Sequence, residues 1–281
     1  MKKVHVIFVI LLAVTIVASL VLSGCAADNS NKLKVVTSTS MISSIVERIA
    51  GDRVDVVNII PPAQCPGHFD VSPGDIQKLA DAALFLMHGW QGEKFTGELI
   101  ASANNPDLTI IILNIEGNWM TPAVYQKAID NITAAIVQVD EENASTYQKS
   151  SSELKDIVAA KGAGIEAELS GKNLADINVM CAEQQAGFIA WTGLNIVRTF
   201  GVPDSLTPQI TKELVDKGRQ ENVTLIIDNL QSGQDAGAGL AEELGCSRII
   251  LSNFPGGFDD TETWEKAIER NVDLILEAVG R

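Results

Sequence analysis

Two stretches of alternating strand and helix signals constrain the fold of this chain more than any other feature. Short β-branched runs begin near Leu33, Val54, Ala83 and Leu108, and segments with apolar residues at helical spacing lie between them. The same alternation resumes at Ile177 and continues towards the C-terminus. Strand–helix alternation is typical of parallel sheets that helices cover on both faces. We therefore predict an α/β protein with two lobes, each built on a parallel sheet.

The residues between the two alternating halves are predicted to be helical. Thr121-Pro122 is a typical helix start, and a second, highly charged helical stretch follows Asp140. No Gly-, Ser- or Pro-rich segment interrupts these helices, so we expect a rigid connector and a ligand cleft between the lobes. The predicted boundaries are 33–120 for the N-terminal lobe, 121–174 for the helical connector and 175–281 for the C-terminal lobe.

The start of the chain indicates export and attachment to a membrane. Lys2 and Lys3 precede an apolar run that ends in Leu22-Ser23-Gly24-Cys25, which is similar to the lipobox of bacterial and some archaeal lipoproteins. The similarity implies that residues 1–24 are a signal peptide, that Cys25 is acylated and that residues 25–32 form a tether. The apolar run is also long enough to remain as an uncleaved membrane anchor. Both interpretations place the domain outside the cytoplasm, anchored to the cell membrane.

Composition limits the class of partner and of chemistry. The chain has 36 acidic and 21 basic residues, for a net charge of −15. It therefore lacks the basic excess that a nucleic-acid binder needs. Four cysteines in 281 residues are too few for a disulfide scaffold. The sequence contains no P-loop, no His-Glu-x-x-His motif and no Gly-x-Ser-x-Gly motif, so we predict a binding protein and not an enzyme.

The densest group of chemically active side chains follows the second predicted strand. Cys65 and His68 lie three residues apart in a proline-containing loop, just before the helix start Ser72-Pro73. A thiolate and an imidazole at this spacing can bind one zinc-like ion. Two other interpretations remain open from these residues alone. His68 can be structural, or the pair can form a thiol redox or hydrolytic site, since an imidazolium lowers the pKa of a nearby thiol.

Short segments along most of the chain carry a family resemblance. These are Val35-Val36-Thr37-Ser38, Gly51-Asp52-Arg53-Val54, Ile60-Pro61-Pro62, His68-Phe69-Asp70 before Ser72-Pro73-Gly74-Asp75, Trp119-Met120-Thr121-Pro122, Ala186-Gly187-Phe188-Ile189-Ala190, and the stretch from Arg248 through Trp264. The chain thus resembles the metal-binding solute receptors of zinc and manganese ABC importers. The resemblance implies a two-lobed fold, an ABC permease as partner and a metal ion as cargo. It also implies that His68 is the first metal ligand.

The remaining ligand positions of that family are occupied differently. Gly117 stands at the second histidine and Glu183 at the third, while Ser252 and Asn253 fall near the closing carboxylate. Asp228 matches another acidic position that is common in the family. The resemblance therefore carries over one of the usual four ligands.

Two cysteines lie close to these altered positions. If both loops face the cleft, Cys65, His68, Cys181 and Glu183 can form a mixed site of sulfur, nitrogen and oxygen ligands. Two thiolates favour zinc, copper(I) or another thiophilic ion over manganese. Alternatively, Cys65 and Cys181 form a disulfide across the cleft, or both are buried, inert thiols.

Three further residues are expected in or near the cleft. His88 follows a predicted strand and can be an extra ligand or a hydrogen-bond donor behind the ligands. Asp228 and Asn253 lie at or just after the ends of later strands, on the same side.

We predict a monomeric extracytoplasmic lipoprotein that captures a transition-metal ion, with zinc as the expected ion, and delivers it to an ABC importer. One alternative keeps the fold and changes the cargo to a metal chelate, a corrinoid or a small organic ligand. A second is a surface redox or hydrolytic enzyme that uses Cys65 and His68. A third is a surface protein that binds a partner and transports nothing.

Overall fold

A computed structural model of the protein describes residues 32–90 and 93–280. The predicted signal peptide, the lipidation site Cys25 and most of the tether lie outside these residues. No helix of the described part of the chain is long and apolar enough to span a bilayer.

The first sheet is parallel and has four strands in the order β2-β1-β3-β4. Its elements, with the helices that connect them, are β1 (Leu33–Thr37), α1 (Ser40–Ala50), β2 (Val54–Asn58), α2 (Pro73–Ala80), β3 (Leu84–Met87), α3 (Phe95–Ala103) and β4 (Thr109–Ile112). Val35 and Val36 are both fully buried and belong to different apolar clusters. Successive residues of β1 thus face opposite helical layers, as expected for a parallel strand covered on both faces.

The second sheet repeats this arrangement with the strand order β6-β5-β7-β8. Its elements are β5 (Asn178–Ala182), α6 (Ala186–Thr192), β6 (Asn195–Phe200), α7 (Pro208–Gln220), β7 (Leu225–Asn229), the short α8 (Leu230–Gly233), α9 (Ala238–Leu244), β8 (Ser247–Leu251) and α10 (Trp264–Ala278). The predicted fold class, two α/β lobes with parallel sheets, is confirmed. Strand and helix ends differ from the predicted ones by a few residues.

Two long helices join the sheets. They are α4 (Pro122–Val139) and α5 (Ala144–Leu169), and the short 3₁₀ turn Glu141–Asn143 connects them. Helix α4 packs along α5, which also contacts α1 of the first lobe and α10 of the second. The connector is therefore packed against both lobes along its length, which restricts hinge motion.

One apolar core crosses the whole unit Leu33–Arg281. It contains Ile42 of the first lobe, Tyr125 of the connector, and Phe188 and Trp264 of the second lobe, all buried. Two smaller clusters cover the other faces of the two sheets. Because the largest cluster is shared, we expect the lobes to unfold together.

Candidate functional site between the lobes

The loop that carries Cys65 and His68 leaves the carboxyl end of β2. The amides of Ile59 and Ile60 extend the pairing with β1 by donating to the carbonyls of Thr37 and Ser38, at 2.9 and 3.1 Å. Pro61 cannot donate a ladder hydrogen bond, so pairing stops there. A 3₁₀ turn, Pro66–His68, follows.

The end of this loop is fixed by the predicted helix start. The Ser72 hydroxyl accepts a hydrogen bond from the Asp75 amide, and the Asp75 carboxylate accepts one from the Ser72 amide at 3.0 Å. These two bonds form a capping box, which satisfies free amides at the first turn of α2. Burial alone would raise the pKa of Asp75, but hydrogen bonds from Lys78 and Ser72 lower it overall.

The second lobe holds the same loop from the other side. The Gln231 side-chain amide donates to the Pro62 carbonyl at 2.8 Å and to the Ser252 hydroxyl at 2.9 Å. Nearby, the Ser40 hydroxyl donates to the Pro255 carbonyl at 2.8 Å. The carboxyl edges of the two sheets therefore face each other and are hydrogen-bonded across the interface. This is the edge at which α/β proteins bind ligands.

Four aromatic rings from both lobes meet at this interface, and we refer to His88, Trp90, Trp119 and Phe254 as the aromatic cluster. The His88 imidazole stacks on Trp90 with ring centroids 3.6 Å apart and planes 10° from parallel. The imidazole also meets Trp119 edge-on at 4.4 Å. Burial lowers the pKa of His88 well below its ordinary value, so this histidine is neutral at neutral pH.

His88 is buried beneath the surface of the site. Its Nε2 atom lies 2.8 Å from the Thr39 hydroxyl, and its Nδ1 atom has no hydrogen-bond partner among the described residues. Its ring lies among aromatic side chains, and within the described residues it belongs to no group of three potential metal ligands. The observed contacts of His88 therefore indicate that its ring supports the indole of Trp90.

Amide side chains and one backbone carbonyl join the lobes beside the aromatic cluster, and we call Asn118, Gln231, Asn253 and the Gln184 carbonyl the amide network. The Asn118 amide donates to the Asn253 side-chain oxygen at 2.9 Å and to the Gln184 carbonyl at 2.9 Å. The Asn253 amide in turn donates to the Gln184 carbonyl at 3.2 Å. These groups are neutral and make directional hydrogen bonds, so this part of the interface carries no net charge.

A cavity of about 340 Å³ lies between the lobes, next to both groups of side chains. We call it the inter-lobe cavity. Trp90, Trp119 and Asn118 line it from the first lobe, and Asn253 and Gln184 line it from the second. Gly117, Gly187 and Glu183 complete the described lining. Its volume falls within the range of small-molecule sites, roughly 300–1,000 Å³.

The structure does not bring the four predicted ligands together. His68 and Glu183 are exposed, and Cys65 is half-buried. Cys181 is fully buried in the large apolar core, in contact neither with the cavity nor with solvent. Within residues 32–90 and 93–280, no three His, Cys, Asp or Glu side chains are grouped so that they could hold one ion. Cys65, Cys181 and Cys246 are free thiols.

The Asp228 side chain makes hydrogen bonds within the second lobe, and Asp228 does not line the inter-lobe cavity. Its carboxylate accepts hydrogen bonds from the Gly237 amide and from Arg248, both at 2.7 Å. Burial raises its pKa more than these bonds lower it. The predicted cleft residue Asn253, in contrast, does line the cavity.

The two thiols are expected to differ strongly in reactivity. Burial raises the pKa of Cys181 to about 12, so this thiol is protonated and inaccessible. We expect iodoacetamide to modify Cys65 in the native protein and Cys181 only after unfolding, as measured by peptide mass spectrometry. Fast native modification of Cys181 would contradict its place in the core. A Cys65 that reacts faster than free cysteine would favour the alternative of a thiol enzyme.

Sequence reasoning missed the residues that line most of the cavity. Asn118 and Gln184 were not singled out, although each directly neighbours a position where the family has a histidine. Trp90 lies shortly after His88 and the end of β3. An aromatic residue just after a strand end is the one local signal that could have pointed to it. Its contact with the second lobe depends on residues more than 150 positions away.

Comparison with known proteins identifies the family. Residues 35–278 match the family model described as ZnuA, the zinc-uptake complex component A, periplasmic. The chain belongs to this family. The resemblance stated from the sequence is thereby confirmed, together with a substrate-binding role for an importer.

Individual relatives agree with the family model. The chain is 29% identical over 165 residues to the manganese-binding lipoprotein MntA of Halalkalibacterium halodurans, a match that covers 52% of this chain and 53% of that protein. It is 23% identical to the metal ABC transporter substrate-binding lipoprotein SsaB of Streptococcus sanguinis, over the full length of both. In structure it is similar to the substrate-binding protein FpvC of Pseudomonas aeruginosa in complex with Ni²⁺, with a TM-score of 0.76, 19% identity and coverage of 89% and 97%.

Gly117, the residue predicted to stand at the second family ligand, has a backbone conformation that favours glycine. Its φ is +105°, a conformation that L side chains rarely adopt. A Cβ atom built on Gly117 would lie 2.9 Å from the Val124 side chain. A histidine therefore does not fit at this position without rearrangement of the loop.

Proposed function

We propose that this protein is the substrate-binding component of an ABC importer and captures a transition-metal cargo between its two lobes. The observation that carries the proposal is the inter-lobe cavity, which residues of both lobes line at the carboxyl edges of both sheets. Membership in the ZnuA family supports the same role. In this role the protein is a binding protein and catalyses no reaction.

We further propose that the protein is a monomer held at the outer face of the membrane by a lipid on Cys25. The mature chain would then begin at Cys25, with residues 25–32 as a tether. The name of SsaB, a substrate-binding lipoprotein, supports this location. The partner would be the permease of the importer, which receives the cargo from the cleft.

We propose zinc as the ion, because the candidate donors are an imidazole, a thiol and a carboxylate. His68, Cys65 and Glu183 are the accessible members of the predicted ligand set, and Cys181 would need the core to open before it could bind. Of these three, Glu183 alone lines the inter-lobe cavity, and the described residues do not group the three donors around one point. Their loops would have to move towards each other to bind one ion, which would still retain ligands from solution.

The structure also bears on two alternative functions predicted from the sequence, a different cargo and a surface enzyme. A small metal chelate suits a cavity of about 340 Å³, whereas a corrinoid with its side chains is much larger than this space. The second alternative is a surface enzyme that uses Cys65 and His68. The described residues contain no group of three or more His, Cys, Asp or Glu side chains that would support it.

A titration of the full chain with zinc tests the proposal. We expect His68→Ala and Glu183→Gln each to raise the dissociation constant by roughly tenfold or more, since even supporting residues of metal sites contribute 10- to 100-fold. Glu153→Gln, which changes an exposed carboxylate on α5, is the matched control. Isothermal titration calorimetry gives the constants. Equal zinc binding by wild type and both variants would contradict this ligand assignment.

A further inference from the structure

We infer that the inter-lobe cavity receives its metal as a complex with a flat, conjugated organic ligand, and that Trp90 stacks on this ligand. The inference rests on the proposed function and names the class of cargo. It is carried by the composition of the cavity, by the way Trp90 is held, and by the polar and acidic side chains beside the indoles.

The lining of the cavity suits an organic molecule better than a bare ion. A bare zinc ion needs four donor atoms that converge at about 2 Å, which requires little empty space. The described lining instead offers two indole rings, three amide side chains and two glycines, with Glu183 as its carboxylate. An apolar wall with a few directional polar groups is the usual composition of a small-molecule site.

Trp90 is presented rigidly and with part of its surface free. The His88 imidazole covers one face of the indole, and 37% of the residue remains exposed at the cavity. The buried carboxylate of Glu93 fixes the turn beneath it by accepting hydrogen bonds from the amides of His88 and Gly89, at 3.2 and 2.7 Å. A ring held in this way loses little conformational entropy when a second ring stacks on it. Stacking on an exposed aromatic side chain is a common mode of binding flat heterocycles.

The polar groups of the cavity match the edge and the charge of such a complex. Asn118 and Asn253 line the cavity beside the indoles, where their side chains bond to one another and to the Gln184 carbonyl and so form a fixed polar edge. Gly117 and Gly187 contribute no side chains to the lining, and at both positions an added Cβ atom would press on a neighbouring side chain. Glu183 supplies a negative charge, which favours a complex that retains positive charge from its metal.

The inference is tested by isothermal titration of the metal-free full chain in mild detergent with three probes. These are zinc chloride, 1,10-phenanthroline, and their one-to-one complex. We expect the complex to bind at least tenfold more tightly than zinc chloride, and Trp90→Ala to weaken its binding at least tenfold. Trp191→Ala, which removes another partly buried tryptophan outside the cavity, should change binding less than twofold. Circular dichroism checks that both variants fold.

The outcomes separate this inference from the proposed function. Zinc chloride binding as tightly as the complex, with no effect of Trp90→Ala, would overturn the inference and leave metal capture intact. Free phenanthroline binding as tightly as the complex and depending on Trp90 would support the stacking site but contradict a metal cargo. Failure of the complex to bind would overturn the inference.

Discussion

Replacement of Trp264 by alanine is expected to lower the free energy of unfolding by about 3–5 kcal/mol. Trp264 is fully buried at the start of α10, where it stacks on Tyr125 of the connector with ring centroids 4.9 Å apart. Its indole nitrogen also donates to the Trp119 carbonyl at 3.0 Å, in the segment that lines the cavity. The variant therefore loses core packing and a contact between lobes at the same time.

For a chain of this size, such a loss lowers the melting temperature by roughly 6–20 °C. Because the large apolar cluster spans both lobes and the connector, we expect one cooperative transition in calorimetry, shifted as a whole. Trp264→Phe keeps a ring against Tyr125 and should lose much less stability. Ile157→Ala, which shortens an exposed side chain on α5, is the control. Two separate transitions, with one unaffected by Trp264→Ala, would contradict a shared core.

Much of the fold was predictable because its signals are local. Each strand is a short β-branched run, and the starts of α2 and α4 are marked by Ser72-Pro73 and Thr121-Pro122. Such signals depend on residues that are close in sequence. The predicted boundaries of lobes and connector stay a prediction, because the described unit Leu33–Arg281 is continuous in contacts.

The positions of single side chains were less predictable. A strand of a parallel sheet is buried on both faces, so its sequence does not show which face a residue occupies. Cys181 illustrates this, because it lies in β5 and faces the large apolar core together with Val179. Asp228 depends on Arg248, which lies 20 residues away on β8.

The candidate site depends on even longer separations. Asn118 and Asn253 are 135 residues apart, and Gln231 and Pro62 are 169 apart. No local pattern indicates such pairs. The family resemblance predicted a site between the lobes, and the side chains that line the inter-lobe cavity became visible only in the three-dimensional structure.

Substitution of Gly187 by a larger residue is expected to block the inter-lobe cavity. It lies in α6, and a Cβ atom built on it would be 3.0 Å from the Asn118 side chain of the other lobe. Gly187→Leu adds bulk to the cavity lining and pushes against the amide network. We expect cargo binding to weaken at least fivefold, because the added side chain occupies the cavity and displaces the amide that lines it. Gly187→Ala should have a smaller effect in the same direction.

Gly239→Leu is the matched control for this change. Gly239 also lies in a helix of the second lobe, and a Cβ atom built there meets nothing within 4 Å. We expect it to bind cargo as the wild type does, with equal or higher stability, because glycine is unfavourable inside a helix.

The most direct test of cargo capture between the lobes is therefore a calorimetric titration of the zinc–phenanthroline complex into wild type, Gly187→Leu and Gly239→Leu. We predict tight binding by the wild type and by Gly239→Leu, and binding by Gly187→Leu that is at least fivefold weaker while its melting transition remains cooperative. Equal affinity in all three proteins would place the cargo outside the inter-lobe cavity and contradict the account.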